Sequence, residues 1–293
     1  MRIAIASGKG GTGKTTVSTN LALVAARNGR DVTYVDCDVE EPNGHLFLKP
    51  ELTSSAPVGR LQPAVDMERC MHCGVCCEIC QYSAIVCIGE KVLLHPELCH
   101  SCGGCALVCR PDAIREEFRV AGRIEAGQSG PVRFIQGVLN VGEAMSAPVI
   151  RQVKAAAPSV ELVIFDSPPG TSCPVIESVE GADFVLLVTE PTPFGLNDLK
   201  LAVEMVRALK LPHGVCINRA GLGNQETEEY CRREEIQILA KIPDDRRVAE
   251  AYSRGVLACE AIPEIRDRIE RLLACLLDRG RAMPVSSEGE VPR

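Results

Sequence analysis

Tryptophan is absent from the 293-residue sequence, and aromatic residues make up only 3% of it, so the core must be aliphatic. Long apolar runs are missing as well, because segments such as FVLLV are far too short to span a bilayer. No cluster of lysine and arginine occurs and the formal net charge is −7, so we expect no nucleic-acid partner. Met1 and Arg2 lead directly into an apolar segment, so we expect no signal peptide, a cytoplasmic location and no membrane partner.

Apolar residues and cysteine are plentiful instead. Hydrophobic residues make up 46% of the chain, which is enough to build a core, and there are sixteen cysteines. Without a secretion signal, these cysteines are interpreted as reduced or bound to metal rather than paired in disulfides.

The order of apolar segments predicts an α/β fold. Residues 2–6 read as a strand, 14–28 as a helix and 31–38 as a second strand, which together make a parallel βαβ unit. GRIEAG and VRFIQGVL read as strands of a linking region, and 143–157 reads as a helix. Further strands are expected at 161–166, 183–189, 214–218 and 236–242. We therefore predict a doubly wound, mostly parallel sheet that is interrupted by a small cysteine-rich insertion.

The first loop carries a phosphate-binding motif. Gly8 to Thr15 fits G-x-x-x-x-G-K-[ST] between a strand and a helix, where backbone N–H groups and the helix N-terminus converge on phosphate. Lys14 is expected to reach the β- and γ-phosphates, and the Thr15 hydroxyl to ligate Mg²⁺. The alternative is a glycine-rich turn that binds nothing. The predicted ATP-binding residues are Gly8, Gly10, Gly11, Thr12, Gly13, Lys14, Thr15 and Thr16.

The string GKGGTGKTT resembles the deviant Walker A motif of the MinD, Mrp and nitrogenase iron protein class. The resemblance implies an ATP-dependent homodimer in which Lys9 crosses the interface to the partner's nucleotide. The alternative for Lys9 is a solvated loop lysine.

Three aspartates at strand ends are candidates for the catalytic and Mg²⁺ sites. In DCDVEEPN, the resemblance implies that Asp38 orients the attacking water and that Asp36 has an indirect role at Mg²⁺. Asp166 in DSPPGT fits a Walker B aspartate that is followed by a switch loop, close to the Mrp pattern.

Two further residues have competing interpretations. Asn218 in CINRAG matches the family's base-reading asparagine, and its alternative is a turn residue at a strand end. Cys173 lies in the switch loop, where a thiol could touch a metal or a partner, or where it could be a small buried hydrophobic residue.

The insertion contains the spacing C-x-x-C-x-x-C-x-x-x-C twice, which is typical of bacterial two-cluster ferredoxins. Three cysteines of one motif and the last cysteine of the other would hold each [4Fe–4S] cluster. Zinc is the competing metal, but two complete sets of four cysteines favour iron–sulfur. Cys77 and Cys87 are extra thiols without a role. Cluster one would use Cys70, Cys73, Cys76 and Cys109, and cluster two Cys99, Cys102, Cys105 and Cys80.

The full order of motifs resembles MinD-superfamily ATPases with an inserted ferredoxin domain, over nearly the whole chain up to about residue 280. The implied domains are a P-loop ATPase domain at 1–60 and 119–280 and an inserted two-cluster ferredoxin domain at 61–118. The last segment, 281–293, is polar, and we expect it to be a disordered tail. The cofactors implied are ATP, Mg²⁺ and two [4Fe–4S] clusters.

Three functions stay open at this point. The first is an ATPase that couples its nucleotide state to electron transfer toward an unidentified redox partner. The second is an Mrp-like ATPase that delivers iron–sulfur or another metal cofactor to an acceptor protein. The third is a MinD-like positioning protein with structural clusters, whose helix at 264–279 would touch a membrane rather than cover the core.

Overall fold

The computed structural model describes residues 1–282, and eleven strands and eleven α-helices lie within that range. The strands are β1 Arg2–Ala6, β2 Val32–Asp36, β3 Glu51–Val65, β4 Ile85–Ile88, β5 Lys91–Leu94, β6 Ile114–Ser129, β7 Val132–Leu139, β8 Leu162–Asp166, β9 Phe184–Thr189, β10 His213–Ala220 and β11 Ile238–Pro243. The helices are α1 Lys14–Arg27, α2 Gly44–Leu48, α3 Val75–Ile79, α4 Gly104–Leu107, α5 Ala147–Ala155, α6 Cys173–Val179, α7 Pro193–Ala208, α8 Glu226–Arg233, α9 Arg246–Ser253, α10 Ala258–Ala261 and α11 Pro263–Ala282.

One large sheet organises the molecule, in the strand order β11-β10-β9-β1-β8-β2-β7-β6-β3. All neighbours from β11 to β7 pair in parallel, and only the last two pairings are antiparallel. The two faces bury separate aliphatic cores, one against α1 and α11 and the other against α5, α6 and α7. Strands that are covered on both faces read as continuous apolar runs, which is why these strands were visible in the sequence. The predicted doubly wound, mostly parallel sheet is confirmed.

The strands interpreted as a linking region have a different place. β7 is a full member of the sheet, since it pairs in parallel with β2 from Val32↔Val132 to Asp36↔Gln136. β6 and β3 form a long antiparallel ribbon at the sheet's edge, from Glu51↔Gln128 to Val65↔Ile114. β3 was not predicted as a strand, because it is polar and contains Pro57 and Pro63, and prolines are tolerated where a strand has a free edge.

The cysteine-rich segment lies at the far end of this ribbon. It consists of the short helices α3 and α4, the β4–β5 hairpin and connecting turns. None of its residues between 66 and 113 belongs to either aliphatic core. Several of its apolar side chains are exposed instead, among them Met71, Ile88 and Leu107. Apolar burial alone therefore gives this segment little stability.

The last helix covers the sheet. The apolar positions expected to form one face of α11 are all buried in the first core, and core packing is therefore the correct interpretation of this helix rather than membrane contact. These positions are Ile265, Ile269, Leu272, Leu273 and Leu276. Within residues 1–282, no helix is both long enough and apolar enough to cross a membrane. Of the expected disordered tail at 281–293, residues 281 and 282 belong to α11, and the rest lies outside the described residues.

Candidate nucleotide site and cysteine insertion

The phosphate loop connects β1 to α1, which begins at Lys14. Gly13 takes the left-handed conformation with φ 95°, and a Cβ there would lie 2.3 Å from Nδ2 of Asn218. A Cβ on Gly8 would lie 2.1 Å from the carbonyl oxygen of Asp198 in α7. Glycine at both positions thus permits the loop to pack tightly against neighbouring elements.

Asn218 lies at the C-terminal end of β10, and its Nδ2 donates to the carbonyl oxygen of Thr12 at 2.8 Å. It is thus more than a residue of a turn, because its amide helps to hold the phosphate loop. To read the base as well, Asn218 would have to use the part of its amide that does not bond to Thr12.

The Lys14 side chain is buried among acidic groups at the carboxyl ends of β2 and β8. Burial lowers the pKa of Lys14, and three carboxylates oppose that shift. In order of decreasing effect these are Asp166, Asp38 and Asp36. The three aspartates singled out in the sequence therefore gather around the phosphate-loop lysine.

Asp166 and Asp36 end adjacent strands and are fully buried. Burial raises the pKa of each carboxyl group, and the charge of Asp166 raises that of Asp36 further. Asp36 accepts hydrogen bonds from the backbone N–H groups of Asp38, Asn43 and Gly44, at 3.1, 3.1 and 2.9 Å. Asp36 is therefore committed to fixing the loop after β2, which suits an indirect role at a metal ion.

Tyr34 is a residue that the sequence interpretation missed. Its hydroxyl, buried in β2, donates to Oδ2 of Asp166 at 2.8 Å. Oδ1 of Asp166 is buried without a hydrogen-bond partner among the described residues. Tyr34 thus orients the carboxylate and leaves one oxygen for a ligand. Tyrosine in an apolar strand reads as core, so the sequence carried no signal for this role.

Asp38 is less buried than the other two, and burial raises its pKa to about 6 while the charge of Lys14 opposes the shift. A carboxylate that is partly ionised near neutral pH can accept a hydrogen bond from water or exchange a proton with it. Its place beside Lys14 is compatible with the predicted role in orienting water.

Lys9 is not a freely solvated lysine. Its Nζ lies 2.6 Å from Oε1 of Glu190, at the end of β9, and Oε2 of Glu190 lies 3.4 Å from Arg219. Glu190 was not predicted as a site residue, since 181 positions separate it from Lys9. Within one chain, Lys9 is therefore held by an intramolecular ion pair.

The floor of the site offers further polar atoms. The hydroxyls of Thr12 and Ser167 are buried and have no hydrogen-bond partner among residues 1–282. A buried polar group without a partner costs free energy, so such groups are usually satisfied by a ligand, an ion or water. Together with Lys14, the open oxygen of Asp166 and the N–H groups of the loop, they fit a nucleotide with its magnesium ion.

In the insertion, four cysteines line one cavity between α3, α4 and the end of the ribbon: Cys70, Cys73, Cys76 and Cys109. These are the four residues expected to hold cluster one. The charges of Cys109 and Cys70 also contribute to the raised pKa of Cys76, after the larger effect of burial. Four thiols around one cavity are a donor set that suits an iron–sulfur cluster.

Three of the four cysteines expected for cluster two are also neighbours. Burial raises the pKa of Cys105, and the charges of Cys99 and Cys102 raise it further. The fourth, Cys80, follows α3 directly. Burial acts to raise its pKa, but the backbone N–H groups of residues 82–85 outweigh burial and lower it. Such N–H groups favour a thiolate, which is the form that binds metal.

The two cysteine motifs share a backbone pattern as well as a spacing. Each cysteine of the first motif recurs 29 positions later, from Cys70 to Cys99 and from Cys80 to Cys109. Positive φ angles recur at the same offset: 53° at position 72 and 55° at 101, 78° at 74 and 71° at 103, 53° at 83 and 50° at 112. The two halves are joined reciprocally, because the backbone N–H of Asp66 donates to the carbonyl oxygen of Ala113 at 2.7 Å and the backbone N–H of His95 to that of Ala84 at 2.8 Å. The internal duplication is thus structural.

Two expectations about the other cysteines change. Cys77 and Cys87 are joined in a disulfide rather than being free thiols. Cys173 begins α6 and is exposed, so its interpretation as a small buried hydrophobic residue is wrong. Neither outcome could be read from spacing, because each depends on how α3, β4 and α6 are placed.

A continuous set of contacts connects the nucleotide site to the insertion. Val39, next to Asp38, accepts a hydrogen bond from the N–H of Leu139 in β7 at 2.8 Å. The loop after β7 brings Glu143 to Arg60 of the ribbon, in a buried ion pair of 2.6 Å. The Arg60 guanidinium also donates to the carbonyl oxygen of Cys99. Only a few contacts thus separate Asp38 from a predicted cluster ligand.

Comparisons with known proteins agree with this architecture. Residues 3–258 match the family model described as the CobQ/CobB/MinD/ParA nucleotide binding domain. An uncharacterized protein of Methanocaldococcus jannaschii is 32% identical, over 93% of this chain and 95% of its own length. An iron-sulfur cluster carrier protein of the same organism is 24% identical, over 93% and 83%.

Among solved structures, the septum site-determining protein MinD of Pyrococcus horikoshii, complexed with Mg-ADP, is similar with a TM-score of 0.60. It is 21% identical, over 94% of this chain and 95% of that chain, a likeness that concerns the fold. The sheet order, the phosphate loop and the match over residues 3–258 agree, and the chain belongs to the CobQ/CobB/MinD/ParA nucleotide-binding domain family.

Proposed function

We propose that this protein is an ATPase whose insertion is a ferredoxin-like domain with two [4Fe–4S] clusters, and that its nucleotide state is coupled to electron transfer through them. The observation that carries the proposal is the set of contacts from Asp38 through Leu139 and Glu143 to Arg60 and Cys99. It joins a residue of the nucleotide site to a cluster ligand through buried, specific contacts.

On the nucleotide side, the chain's own residues bind and orient. The phosphate loop and Lys14 would hold the phosphates, while Thr15 and the open oxygen of Asp166 would hold the magnesium ion. Tyr34 keeps Asp166 in place. Asp38 orients the attacking water. Phosphoryl transfer needs little more than such positioning, a metal ion and compensating positive charge.

Lys9 supplies the switch in this proposal. In one chain it pairs with Glu190. For Lys9 to reach a partner's nucleotide, that pair must open, so ATP binding and formation of the homodimer exchange one ion pair for another. Lys9 would thus have two states, paired with Glu190 in the single chain or bound to the partner's nucleotide in the dimer. Coupling between distant sites requires an element with two such states.

In the insertion, Cys70, Cys73, Cys76 and Cys109 would hold one cluster, and Cys80, Cys99, Cys102 and Cys105 the other. When bound, such clusters accept and donate single electrons. The lack of an aliphatic core between 66 and 113 supports this assignment, because metal binding would then provide the stability that apolar burial does not.

A second candidate is cluster delivery to an acceptor protein. It is favoured by the relative named as an iron-sulfur cluster carrier protein and by the exposure of Cys173, which could receive or pass on a cluster. Clusters that leave the protein on mixing with an acceptor would support delivery, and clusters that stay bound would support electron transfer.

The test begins with anaerobic purification of the full chain and measurement of iron, sulfide and ATP hydrolysis. The proposal expects about eight irons and eight sulfides per chain, as two [4Fe–4S] clusters require. Cys102→Ser should lose cluster two and keep nucleotide binding, whereas Cys216→Ser, at a buried cysteine of the sheet, should keep both clusters. Bound zinc in place of iron and sulfide would contradict the proposal.

A further inference from the structure

The disulfide between Cys77 and Cys87 has no role in the functions proposed above. It joins α3 to β4 inside the insertion, and both residues are half-buried, so small reagents can reach them. It is the single disulfide among the sixteen cysteines, and the other fourteen are thiols.

The pair lies directly beside the cysteines expected to hold cluster one. The Sγ atoms of Cys76 and Cys77 are 3.9 Å apart, and the three sulfur atoms of Cys76, Cys77 and Cys87 all lie within 4.8 Å of one another. Cys87 also lines the same cavity as the four predicted ligands. The disulfide therefore touches a predicted ligand of cluster one and forms part of the wall of the cavity in which that cluster is expected.

A purely structural role suits this disulfide poorly. It closes a short loop of ten residues, and the stabilisation by a crosslink falls as the loop becomes shorter. It also lies against Cys76, which is expected to hold cluster one, so the crosslink is placed at a predicted redox site. In cytosolic proteins, where thiols are kept reduced, the disulfides that occur are usually transient and catalytic or redox-sensing.

We propose that Cys77 and Cys87 form a reversible dithiol–disulfide couple that accepts electrons arriving at the adjacent iron–sulfur site, an inference that rests on the proposed function. The S–S bond breaks and two S–H bonds form, with the uptake of two electrons and two protons. The two electrons come one at a time from a low-potential one-electron donor of the reduced-ferredoxin class, and the two protons come from water. The insertion thereby converts two one-electron steps into one two-electron product.

The experiment uses the full chain, prepared anaerobically with its clusters, and titanium(III) citrate as the one-electron donor. Iron and sulfide are counted first. Thiols are then alkylated before and after reduction, and Cys77 and Cys87 are followed by peptide mass spectrometry. Oxidised glutathione in the same vessel reports direct reduction of disulfides by the donor. The Cys77→Ser/Cys87→Ser variant is titrated in parallel.

The proposal expects both cysteines to become alkylated while glutathione stays oxidised. It also expects the protein to take up two more electrons per chain than the double variant, at equal iron content. A disulfide that stays intact in iron-loaded protein, or equal electron uptake, would overturn the inference and leave the proposed function standing. Loss of iron in the double variant would overturn it too, since the pair would then be a ligand or a structural crosslink. Wild-type protein without iron and sulfide would overturn both.

Discussion

The sheet and the cysteine insertion are stabilised in different ways within one chain. The sheet buries two aliphatic cores, and side chains such as Ile164 and Leu186 are completely enclosed. The insertion contributes to neither core and exposes Leu107 to 88%. Apolar burial therefore stabilises the sheet, whereas it contributes little to the insertion. This difference separates a nucleotide-binding frame, made of the sheet and the helices that cover it, from an insertion to which we propose that metal binding supplies the missing stability.

The largest expected effect concerns the affinity of the nucleotide-binding frame for ATP. Lys14→Ala removes the buried cation that faces Asp166 and Asp38, and leaves those carboxylates and the phosphates without it. Loss of one partner of a buried charge pair costs roughly 2–5 kcal/mol, so ATP binding should weaken by about 30-fold or more. Isothermal titration calorimetry measures the dissociation constant for ATP. Lys9→Ala is the matched control and should retain binding to the single chain. Normal ATP affinity in Lys14→Ala would refute the assignment of the phosphate loop.

Metal removal should affect the insertion alone. After treatment with a strong iron chelator, we expect trypsin to cleave after Arg69 and Lys91 at least roughly tenfold faster, because the segment loses the bonds that order it. ATP binding by the sheet should persist. Mass spectrometry of the fragments over time locates the cuts. Cleavage spread evenly over the chain would show that the two regions do not fold independently.

The buried ion pair of Arg60 and Glu143, at the side of the sheet that contacts the insertion, should matter more than an exposed one. Arg60→Met leaves Glu143 buried without its partner, which costs roughly 3–5 kcal/mol. Arg123→Met removes the more exposed pair with Glu125 on the same ribbon and should cost less than about 1 kcal/mol. Urea unfolding of both variants gives the comparison. Equal losses would mean that the Arg60–Glu143 pair stabilises the protein no more than an exposed pair does.

The smallest effect is a pH dependence of the frame. Burial raises the pKa of Asp38 to about 6, above its ordinary value of 3.8. Between these values the folded protein holds more protons than the unfolded one, so stability should fall as the pH rises from about 4 to 6. Buried Asp36 and Asp166, with raised pKa values, add to the same slope. Asp38→Asn should make the slope shallower in urea unfolding without nucleotide. An unchanged slope would argue against a raised pKa at Asp38.

The features that could be predicted from the sequence are those that a local pattern of residues determines. The apolar runs predicted both ends of β1, β2, β8, β9, β10 and β11 to within two residues. The cysteine spacing predicted the internal duplication. Long-range contacts were not visible, because neither the pairing of Lys9 with Glu190 nor that of Tyr34 with Asp166 leaves a local signal. The disulfide was missed for the same reason, since the spacing of Cys77 and Cys87 matches no motif.

The central claim is that nucleotide state and the insertion are coupled. The direct test is an EPR-monitored redox titration of the cluster potentials in anaerobic protein with no nucleotide, with ADP, and with a slowly hydrolysed ATP analogue. Lys9→Ala serves as the variant in which the dimer cannot close. We predict a shift of potential with the ATP analogue that disappears in Lys9→Ala. Identical potentials in all three states of the wild-type protein would contradict coupling through the cluster potentials.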